Sequence, residues 1–227
     1  MASVSPAAVL FDLDGTLIDT APDMGGALND MLHARDQAPL PAESLRPLVS
    51  HGSRALVQRG FAPADEAAMQ TLIQEFLAVY ATRVARHSAL FDDMPEFLLE
   101  LERLNVTWGV VTNKPEALSV TLMHELNLSD RSAVLIGGDT LSERKPHPMP
   151  LLHAAQQINI PATRCLYVGD AERDISAGRA AGMTTVAANY GYLLDGDCAT
   201  RWGADYIVDS VAQLHRLVFT QLLKASA

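Results

Sequence analysis

Two aspartates separated by one residue follow a short apolar run near the N-terminus, in the sequence FDLDGTL at residues 11–17. Residues 7–11 are apolar and are closed by a Gly-containing turn, which predicts a short buried strand with Asp12 at its carboxyl end. Because residues i and i+2 of an extended chain point the same way, we expect Asp12 and Asp14 to converge. Gly15 lets the backbone approach a ligand closely. An isolated pair of this kind also occurs as two solvated aspartates in a turn.

Such close carboxylates repel each other unless a cation lies between them. Mg²⁺ takes oxygen ligands, so it would offset the repulsion and also attract a phosphate group. The pair at Asp12 and Asp14 therefore predicts a magnesium-dependent reaction of a phosphate compound.

A second apolar run, residues 106–111, ends in Thr112 and Asn113 and is followed by Lys114-Pro115, which opens a helix. A threonine hydroxyl at this point is able to donate a hydrogen bond to a phosphate oxygen. Taken alone, Thr112 is more often a helix cap, because Thr and Asn are preferred at helix starts.

Two further polar positions follow in order. Lys145 precedes a loop punctuated by prolines, which would hold its ammonium group in place against phosphate charge, although a lone lysine is usually solvated. Asp170 ends the apolar run 165–169, and Asp174 lies four residues beyond it. Ligands of open parallel α/β sheets bind outside the carboxyl ends of the strands, so these four positions favour such a sheet.

With all four motifs in order, the chain resembles the haloacid dehalogenase-like (HAD) phosphohydrolase superfamily across essentially its full length. The resemblance implies that Asp12 is the nucleophile that becomes an aspartyl-phosphate and that Asp14 is the general acid and base. It implies that Mg²⁺ is held by Asp12, the backbone carbonyl of Asp14 and Asp170. The dehalogenase branch does not carry an aspartate at the position of Asp14, so dehalogenation is disfavoured.

The same resemblance assigns residues to the phosphoryl group. Thr112 and Lys145 would bind it, with Asn113 beside them, and Asp174 would orient Lys145 or a metal-bound water. His147 stands where the family more commonly has an aspartate, in the run Lys-Pro-Asp-Pro, and this departure casts little doubt on hydrolysis.

Between residues 20 and 87 the strands disappear and apolar residues recur at helical spacing. This pattern predicts an inserted α-helical cap domain. With the strand ends and the family resemblance described above, it implies an α/β fold with a Rossmann-like, doubly wound parallel sheet core. The core would comprise residues 1–19 and 88–227, and the cap residues 20–87. Predicted core elements are helices 95–104, 115–126, 150–158 and 174–181, and strands 133–136, 184–188 and 206–208.

One segment of the predicted cap combines a glycine hinge with polar groups at the start of a helix. Ser50, His51, Gly52 and Arg54 would form a loop that faces an anion, and Arg54 is able to pair with a substrate carboxylate. His51 alone is equally explained as a capping or surface histidine, because it has no second metal-type partner. The turn at residues 190–192 is able to touch the rim of the site, but a simple loop is the favoured interpretation.

The composition narrows the choice of partners and compartment. The chain has 17 basic and 27 acidic residues, a net charge of −10, which argues against nucleic acid and anionic membranes as partners. No apolar stretch approaches a membrane span and no signal peptide is recognisable, so we expect a cytoplasmic enzyme. Two cysteines without metal spacing make a disulfide framework improbable.

Within the superfamily the chain looks most like the phosphoglycolate phosphatase-like group, and within that group like the N-acetylmuramic acid 6-phosphate phosphatases. Both substrates carry a carboxylate beside a phosphate monoester, so a small-molecule substrate of this class is expected, with the muramate sugar phosphate favoured. A sugar-phosphate mutase of the same superfamily and a non-catalytic binding module stay open as alternatives. The chain would be a monomer or a homodimer.

Overall fold

A computed structural model describes residues 6–194 and 196–223, in which a parallel six-stranded sheet forms the centre of the molecule. Strand β1 (Ala8–Phe11) pairs in parallel with β4 (Thr107–Val111) on one side and with β6 (Cys165–Gly169) on the other. In spatial order the strands are β5 (Leu135–Ile136), β4 (Thr107–Val111), β1 (Ala8–Phe11), β6 (Cys165–Gly169), β7 (Thr184–Ala188) and β8 (Tyr206–Val208).

Strand β1 is buried on both faces of the sheet. Val9 and Phe11 belong to the hydrophobic core of one face, whereas Ala8 and Leu10 belong to the core of the other. This division follows from the alternation of side chains along a strand, and burial on both faces is typical of parallel sheets covered by helices. The helices of this part are α5 (Met94–Arg103), α6 (Glu116–Glu125), α7 (Met149–Gln157), α8 (Glu172–Ala180) and α9 (Val211–Arg216).

Residues 20–87, called here the helical segment, contain no strand in the structure and have a hydrophobic cluster of their own. Leu28, Phe76 and Tyr80 are almost fully buried within that cluster. Its helices are α1 (Ala21–His33), α2 (Ala42–Leu45), α3 (Gly52–Phe61) and α4 (Glu66–Ala81), with a 3-10 helix at Arg46–His51 between α2 and α3.

The chain leaves the sheet for the helical segment and returns to it at neighbouring points. Strands β2 (Ile18–Asp19) and β3 (Ala89–Leu90) form a small antiparallel pair there. The buried carboxylate of Asp23 accepts hydrogen bonds from the backbone N–H groups of His87 and Ser88, both at 2.8 Å, and from the Ser88 hydroxyl at 2.7 Å. These hydrogen bonds hold together the segment that leaves the sheet and the segment that returns to it.

The expected α/β class and parallel sheet are confirmed, with differences at the ends of elements. Helix α8 begins at Glu172 rather than 174, because the Asp174 carboxylate accepts a hydrogen bond from the backbone N–H of Ala171 at 3.1 Å and caps the first turn. Strand β5 begins at Leu135 rather than 133, although Ala133 still donates to the Trp108 carbonyl at 2.9 Å. Both cysteines are free, and none of the described helices is long and apolar enough to cross a membrane.

Candidate active site

Three neighbouring strands place polar side chains at the edge formed by the carboxyl ends of the strands, called here the sheet edge. Asp12 follows β1, Thr112 follows β4 and Asp170 follows β6, and these strands are adjacent in the sheet. All three residues are at most 3% exposed. The backbone N–H of Asp12 donates to the carbonyl of Val168 at 2.9 Å, so β6 holds the chain in position where it leaves β1. The sequence-based expectation that these residues meet is therefore realised in the structure.

Asp12, Asp170 and Asp174 form a buried acidic cluster in which one carboxylate oxygen of each lies within 4.8 Å of the others. Burial and the nearby charges of Asp12 and Asp174 raise the pKa of Asp170 to about 7. Burial also raises the pKa of Asp174. Burial acts in the same direction on Asp12, but the positive charges of Lys145 and Arg173 outweigh it and hold its pKa below the usual value.

The buried ammonium group of Lys145 lies between two of these carboxylates. Its Nζ is 2.9 Å from Asp12 Oδ1 and 2.7 Å from Asp174 Oδ1. The same nitrogen donates to the Val111 carbonyl at 2.9 Å and to the Tyr167 hydroxyl at 2.8 Å. Lys145 is thus fixed in place from several directions, as the proline-punctuated loop suggests.

Asn113 holds the backbone of Lys145 by both ends of its side-chain amide. Its Nδ2 donates to the Lys145 carbonyl at 2.9 Å, and its Oδ1 accepts from the Lys145 N–H at 3.0 Å. Thr112 Oγ1 accepts a hydrogen bond from the Lys114 N–H at 3.2 Å, and its own hydroxyl hydrogen stays available to donate. The Asn113 amide therefore positions the Lys145 loop, whereas Thr112 is the neighbour that can still donate to a ligand.

The acidic cluster fits a hard divalent cation. It offers oxygen ligands alone, and the raised pKa of Asp170 reflects burial together with repulsion from Asp12 and Asp174, which a bound cation would relieve. The backbone also packs closely against Asp170: a Cβ added to Gly15 would lie 2.2 Å from Asp170 Oδ2, and Gly15 has a φ of +83°. This position therefore requires glycine.

The Asp14 carboxylate does not join that cluster, in contrast to the expected convergence with Asp12. Its Oδ1 accepts from the Thr20 hydroxyl at 2.7 Å and from Lys114 Nζ at 3.0 Å. The physical reason is that β1 ends at Phe11, so the alternation of an extended strand no longer applies at Asp14. Asp14 still lines the same cavity as Asp12.

Lys114 is a buried cation whose role the sequence analysis missed. Its Nζ donates to the Tyr80 hydroxyl of α4 at 2.9 Å as well as to Asp14, so it links the sheet edge to the helical segment. Burial alone would lower the pKa of Lys114, but the adjacent Asp14 and Tyr80 raise it well above its usual value. The available signal was a lysine directly after the strand-end residues Thr112 and Asn113.

The anion-facing loop of the helical segment reaches the site in part. Ser50 Oγ donates to Asp170 Oδ2 at 2.5 Å, and Gly52 has the left-handed φ of +76° that the hinge requires. His51 is exposed as a residue but lines the cavity, where partial desolvation and the positive charge of Arg173 lower its pKa. Arg54 also lines the cavity but is 2.6 Å from Glu66 in an exposed ion pair.

The turn at residues 190–192 is not a simple loop, and that interpretation is wrong. The Tyr192 N–H donates to Asp170 Oδ2 at 2.9 Å, and the Tyr192 hydroxyl donates to Asp19 at 2.6 Å. A Cβ added to Gly191 would lie 2.3 Å from the Asp170 Cβ. The turn packs directly behind Asp170, and a glycine between two tyrosines was the signal for this close approach.

A cavity of about 940 Å³ lies between the sheet edge and the helical segment. Asp12, Asp14 and Lys145 line its polar side. Phe76 and Leu77 of α4 contribute an apolar wall, so the cavity accommodates a ligand with both a charged and an apolar part.

Comparisons with known proteins agree with this geometry. The family model described as haloacid dehalogenase-like hydrolase matches residues 9–188. A phosphoglycolate phosphatase of Xanthomonas campestris pv. campestris (strain 8004) is 51% identical over 209 residues, which cover 92% of this chain and 95% of that protein. An N-acetylmuramic acid 6-phosphate phosphatase of Pseudomonas putida is 42% identical over 216 residues, covering 95% of this chain and 97% of that one.

A solved structure supports the fold. A crystal structure described as a predicted phosphoglycolate phosphatase from Haemophilus somnus superimposes with a TM-score of 0.82. The match covers 96% of this chain and 99% of that one at 24% sequence identity. At this identity the similarity establishes the arrangement of helices and strands alone.

Proposed function

Because the chain belongs to the haloacid dehalogenase-like hydrolase family, we propose that it is a Mg²⁺-dependent phosphatase of a small, carboxylate-bearing phosphate monoester. The observation that carries the proposal is the buried Asp12, which lies 2.9 Å from Lys145 and in one cluster with Asp170 and Asp174. Relatives at 42–51% identity that are named phosphatases support the same reaction class.

In this proposal the Asp12 carboxylate attacks phosphorus and forms an aspartyl-phosphate, while Asp14 donates a proton to the leaving alcohol. Asp14 then takes a proton from the water that hydrolyses the intermediate. A covalent intermediate divides one difficult hydrolysis into two easier steps. The low pKa of Asp12 keeps this nucleophile ionised, and the separate location of Asp14 beside Thr20 and Lys114 suits a different role.

The transferring phosphoryl group would meet donors on the sheet edge. Lys145 and Thr112 supply charge and a hydroxyl donor, and Asn113 keeps the Lys145 loop in register. Such preorganised donors stabilise charge that develops on the phosphoryl oxygens in the transition state.

Asp12, the backbone carbonyl of Asp14 and Asp170 would hold Mg²⁺, with Asp174 beside them fixing Lys145. When bound, the ion neutralises carboxylate repulsion and phosphoryl charge. Ser50 and the Tyr192 N–H hydrogen-bond to Asp170 and would keep its carboxylate oriented.

The helical segment would act as a cap domain, residues 20–87, over a core of residues 1–19 and 88–227. Its contacts with the sheet edge through Ser50–Asp170 and Tyr80–Lys114 support this division of labour. A closed cap excludes bulk water and strengthens the electrostatic contacts inside the cavity.

The leaving group would be chosen by the cavity rather than by the sheet edge. A two-carbon acid such as the glycolate of 2-phosphoglycolate occupies little of a volume of about 940 Å³, and it has no apolar surface to match Phe76 and Leu77. N-acetylmuramate 6-phosphate has both a larger body and apolar methyl groups. These features favour the muramate sugar phosphate, with Arg54 and His51 on the side of the cavity that its carboxylate would face.

Phosphate release from the two substrates, with Mg²⁺ and with EDTA, tests the proposal, and Asp12→Asn serves as the blank. We expect metal-dependent turnover with a higher kcat/KM for N-acetylmuramate 6-phosphate. A preference for 2-phosphoglycolate would overturn the substrate assignment, and turnover that persists in Asp12→Asn would overturn the mechanism.

A further inference from the structure

Arg173, at the start of α8, carries a guanidinium group that makes no hydrogen bond to any of the described residues. The nearest anion is Asp12 Oδ2, which lies 3.8 Å from Arg173 Nη2. The Arg173 side chain is only 21% exposed, and it lines the cavity. A guanidinium has five N–H donors, and none of those of Arg173 is among the buried, unpartnered side-chain atoms of the described residues, so they are open to the cavity and a ligand there can accept hydrogen bonds from them.

The two oxygens of Asp12 are flanked by two different cations. Lys145 is 2.9 Å from Oδ1, and Arg173 is 3.8 Å from Oδ2. Lys145 is already engaged by Asp174, Tyr167 and Val111, whereas the Arg173 donors have no such partners among the described residues. An anion bound beside Asp12 would therefore meet two kinds of donor. On one side Lys145 is already paired with groups of the protein, and on the other side Arg173 has no hydrogen-bond partner among the described residues.

The charges around Asp12 also favour the binding of an anion beside Arg173. The carboxylates of Asp12 and Asp174 pair with Lys145, and Arg173 adds a further positive charge at the cavity. Its influence reaches the helical segment, because the positive charge of Arg173 contributes to the lowered pKa of His51. Arg173 lines the same cavity as Asp12 and His51.

We propose that Arg173 is a catalytic residue that donates hydrogen bonds directly to the phosphoryl group of the substrate, on the Oδ2 side of Asp12 and opposite Lys145. This inference rests on the proposed phosphatase function. The planar guanidinium presents parallel donors that match two phosphoryl oxygens, a geometry that a lysine cannot reproduce.

The test compares Arg173→Gln and Arg173→Lys with the wild type, and uses Arg179→Gln as a matched control. Arg179 lies on the same helix but is exposed and outside the cavity lining. Two readouts are needed: calorimetric affinity for inorganic phosphate in the presence of Mg²⁺, and kcat/KM for p-nitrophenyl phosphate, which has no carboxylate.

We expect Arg173→Gln to lose about 10- to 100-fold in both readouts, the effect of removing hydrogen bonds to a charged group. Arg173→Lys should recover only part of the loss, because it restores the charge but not the paired donors. Arg179→Gln should match the wild type. If Arg173→Gln does not fold, as judged by its thermal transition, Arg173→Lys carries the same comparison.

Unchanged phosphate affinity in the Arg173 variants would overturn the inference. A loss of kcat/KM for N-acetylmuramate 6-phosphate with both of these readouts unchanged would also overturn it, because Arg173 would then bind the carboxylate instead. Failure of the proposed function looks different: the wild type would then hydrolyse no phosphomonoester, while its affinity for phosphate could still be compared with that of the Arg173 variants.

Discussion

The two sides of the cavity differ in how their charged groups are held. On the sheet edge, Lys145 and Asp174 are completely buried and lie 2.7 Å apart. On the helical segment, Arg54 and Glu66 lie 2.6 Å apart, but their side chains are 54% and 61% exposed. Burial multiplies the effect of a charge, whereas exposed pairs are screened by water. The difference supports the proposal that the chemistry takes place at the sheet edge and that the helical segment selects the substrate.

The two sides meet at a few contacts. Lys114 of the sheet edge donates to Tyr80, and Ser50 of the helical segment donates to Asp170. Through these contacts the position of the helical segment is coupled to the groups proposed to react. Substitutions on each side, and at the junction, should therefore have effects of different size.

The largest effect is expected for Lys145→Met. Removing the ammonium leaves Asp12 and Asp174 as buried carboxylates without their cation, which should cost about 3–5 kcal/mol in the free energy of unfolding. Activity should fall by roughly 10³-fold or more, since a group that neutralises transition-state charge is lost. Urea unfolding and phosphate release measure the two losses.

The matched control for this experiment is Arg103→Met. Arg103 pairs with Glu100 at 2.6 Å on an exposed face of α5, where its side chain is 67% exposed. It should leave both stability and activity close to wild type. Equal losses in the two variants would refute the contrast between buried and exposed charges.

A smaller effect is expected at the junction, for Lys114→Met. Asp14 would lose the cation 3.0 Å from its Oδ1 and keep only Thr20, so its carboxylate would be less well positioned. We expect kcat to fall by about 10²-fold, within the range of general acid–base catalysis, with little change in KM. Steady-state kinetics with an alkyl phosphate substrate measure this split.

Tyr80→Phe provides the graded comparison. It removes the hydroxyl that accepts from Lys114 at 2.9 Å but leaves the Lys114–Asp14 pair intact, so its loss should be smaller than that of Lys114→Met. A larger loss in Tyr80→Phe would mean that Lys114 serves the helical segment rather than Asp14.

The acidic cluster predicts that metal binding depends on pH. The pKa of Asp170 is raised to about 7 in the folded, metal-free protein, so this carboxyl must release a proton when a cation binds. Affinity for Mg²⁺ should rise about tenfold between pH 6 and pH 8, as the deprotonated fraction rises. Calorimetric titration at the two pH values checks this, and a pH-independent affinity would contradict it.

The same shift has a consequence for stability. Between pH 3.8, the ordinary pKa of an aspartate, and about pH 7, the folded protein retains a proton on Asp170 that the unfolded chain has released. The free energy of unfolding of the metal-free protein should therefore fall as the pH rises through this window. Asp170→Asn should remove that part of the pH dependence.

The smallest effect is expected for Arg54→Gln, on the exposed side. KM for a carboxylate-bearing substrate should rise by about fivefold, with no change for p-nitrophenyl phosphate, because an exposed charge contributes modestly to binding. Arg35→Gln is the matched control, since Arg35 pairs with Glu75 on the same segment at 2.6 Å and does not line the cavity. A loss on both substrates would place Arg54 at the phosphoryl group instead.

The sequence predicts the sheet edge well because its signals are local. Asp12, Thr112 and Asp170 each end an apolar run, and a parallel sheet necessarily collects the carboxyl ends of its strands at one edge. Lys145 follows from its proline-punctuated loop. For these residues, the motif and the topology together determine the position.

Contacts between distant parts of the chain were not predictable in the same way. The Lys114–Asp14 pair joins residues 100 positions apart, and the contact of Lys114 with Tyr80 depends on how the helical segment packs. The direction of the Asp14 carboxylate depends on the turn that follows β1, not on the strand itself. Arg173 lies between Asp170 and Asp174 in the sequence, and only these two acids were assigned a role from the motif.

The most direct test of the account is trapping of a phosphoryl group on Asp12. Asp14→Asn given p-nitrophenyl phosphate and Mg²⁺ should release one equivalent of p-nitrophenolate rapidly, because this leaving group needs no proton, and then stall before hydrolysis. Mass spectrometry of the acid-quenched protein should place the phosphoryl group on the peptide with Asp12. Wild-type turnover without any such adduct in Asp14→Asn would contradict the account.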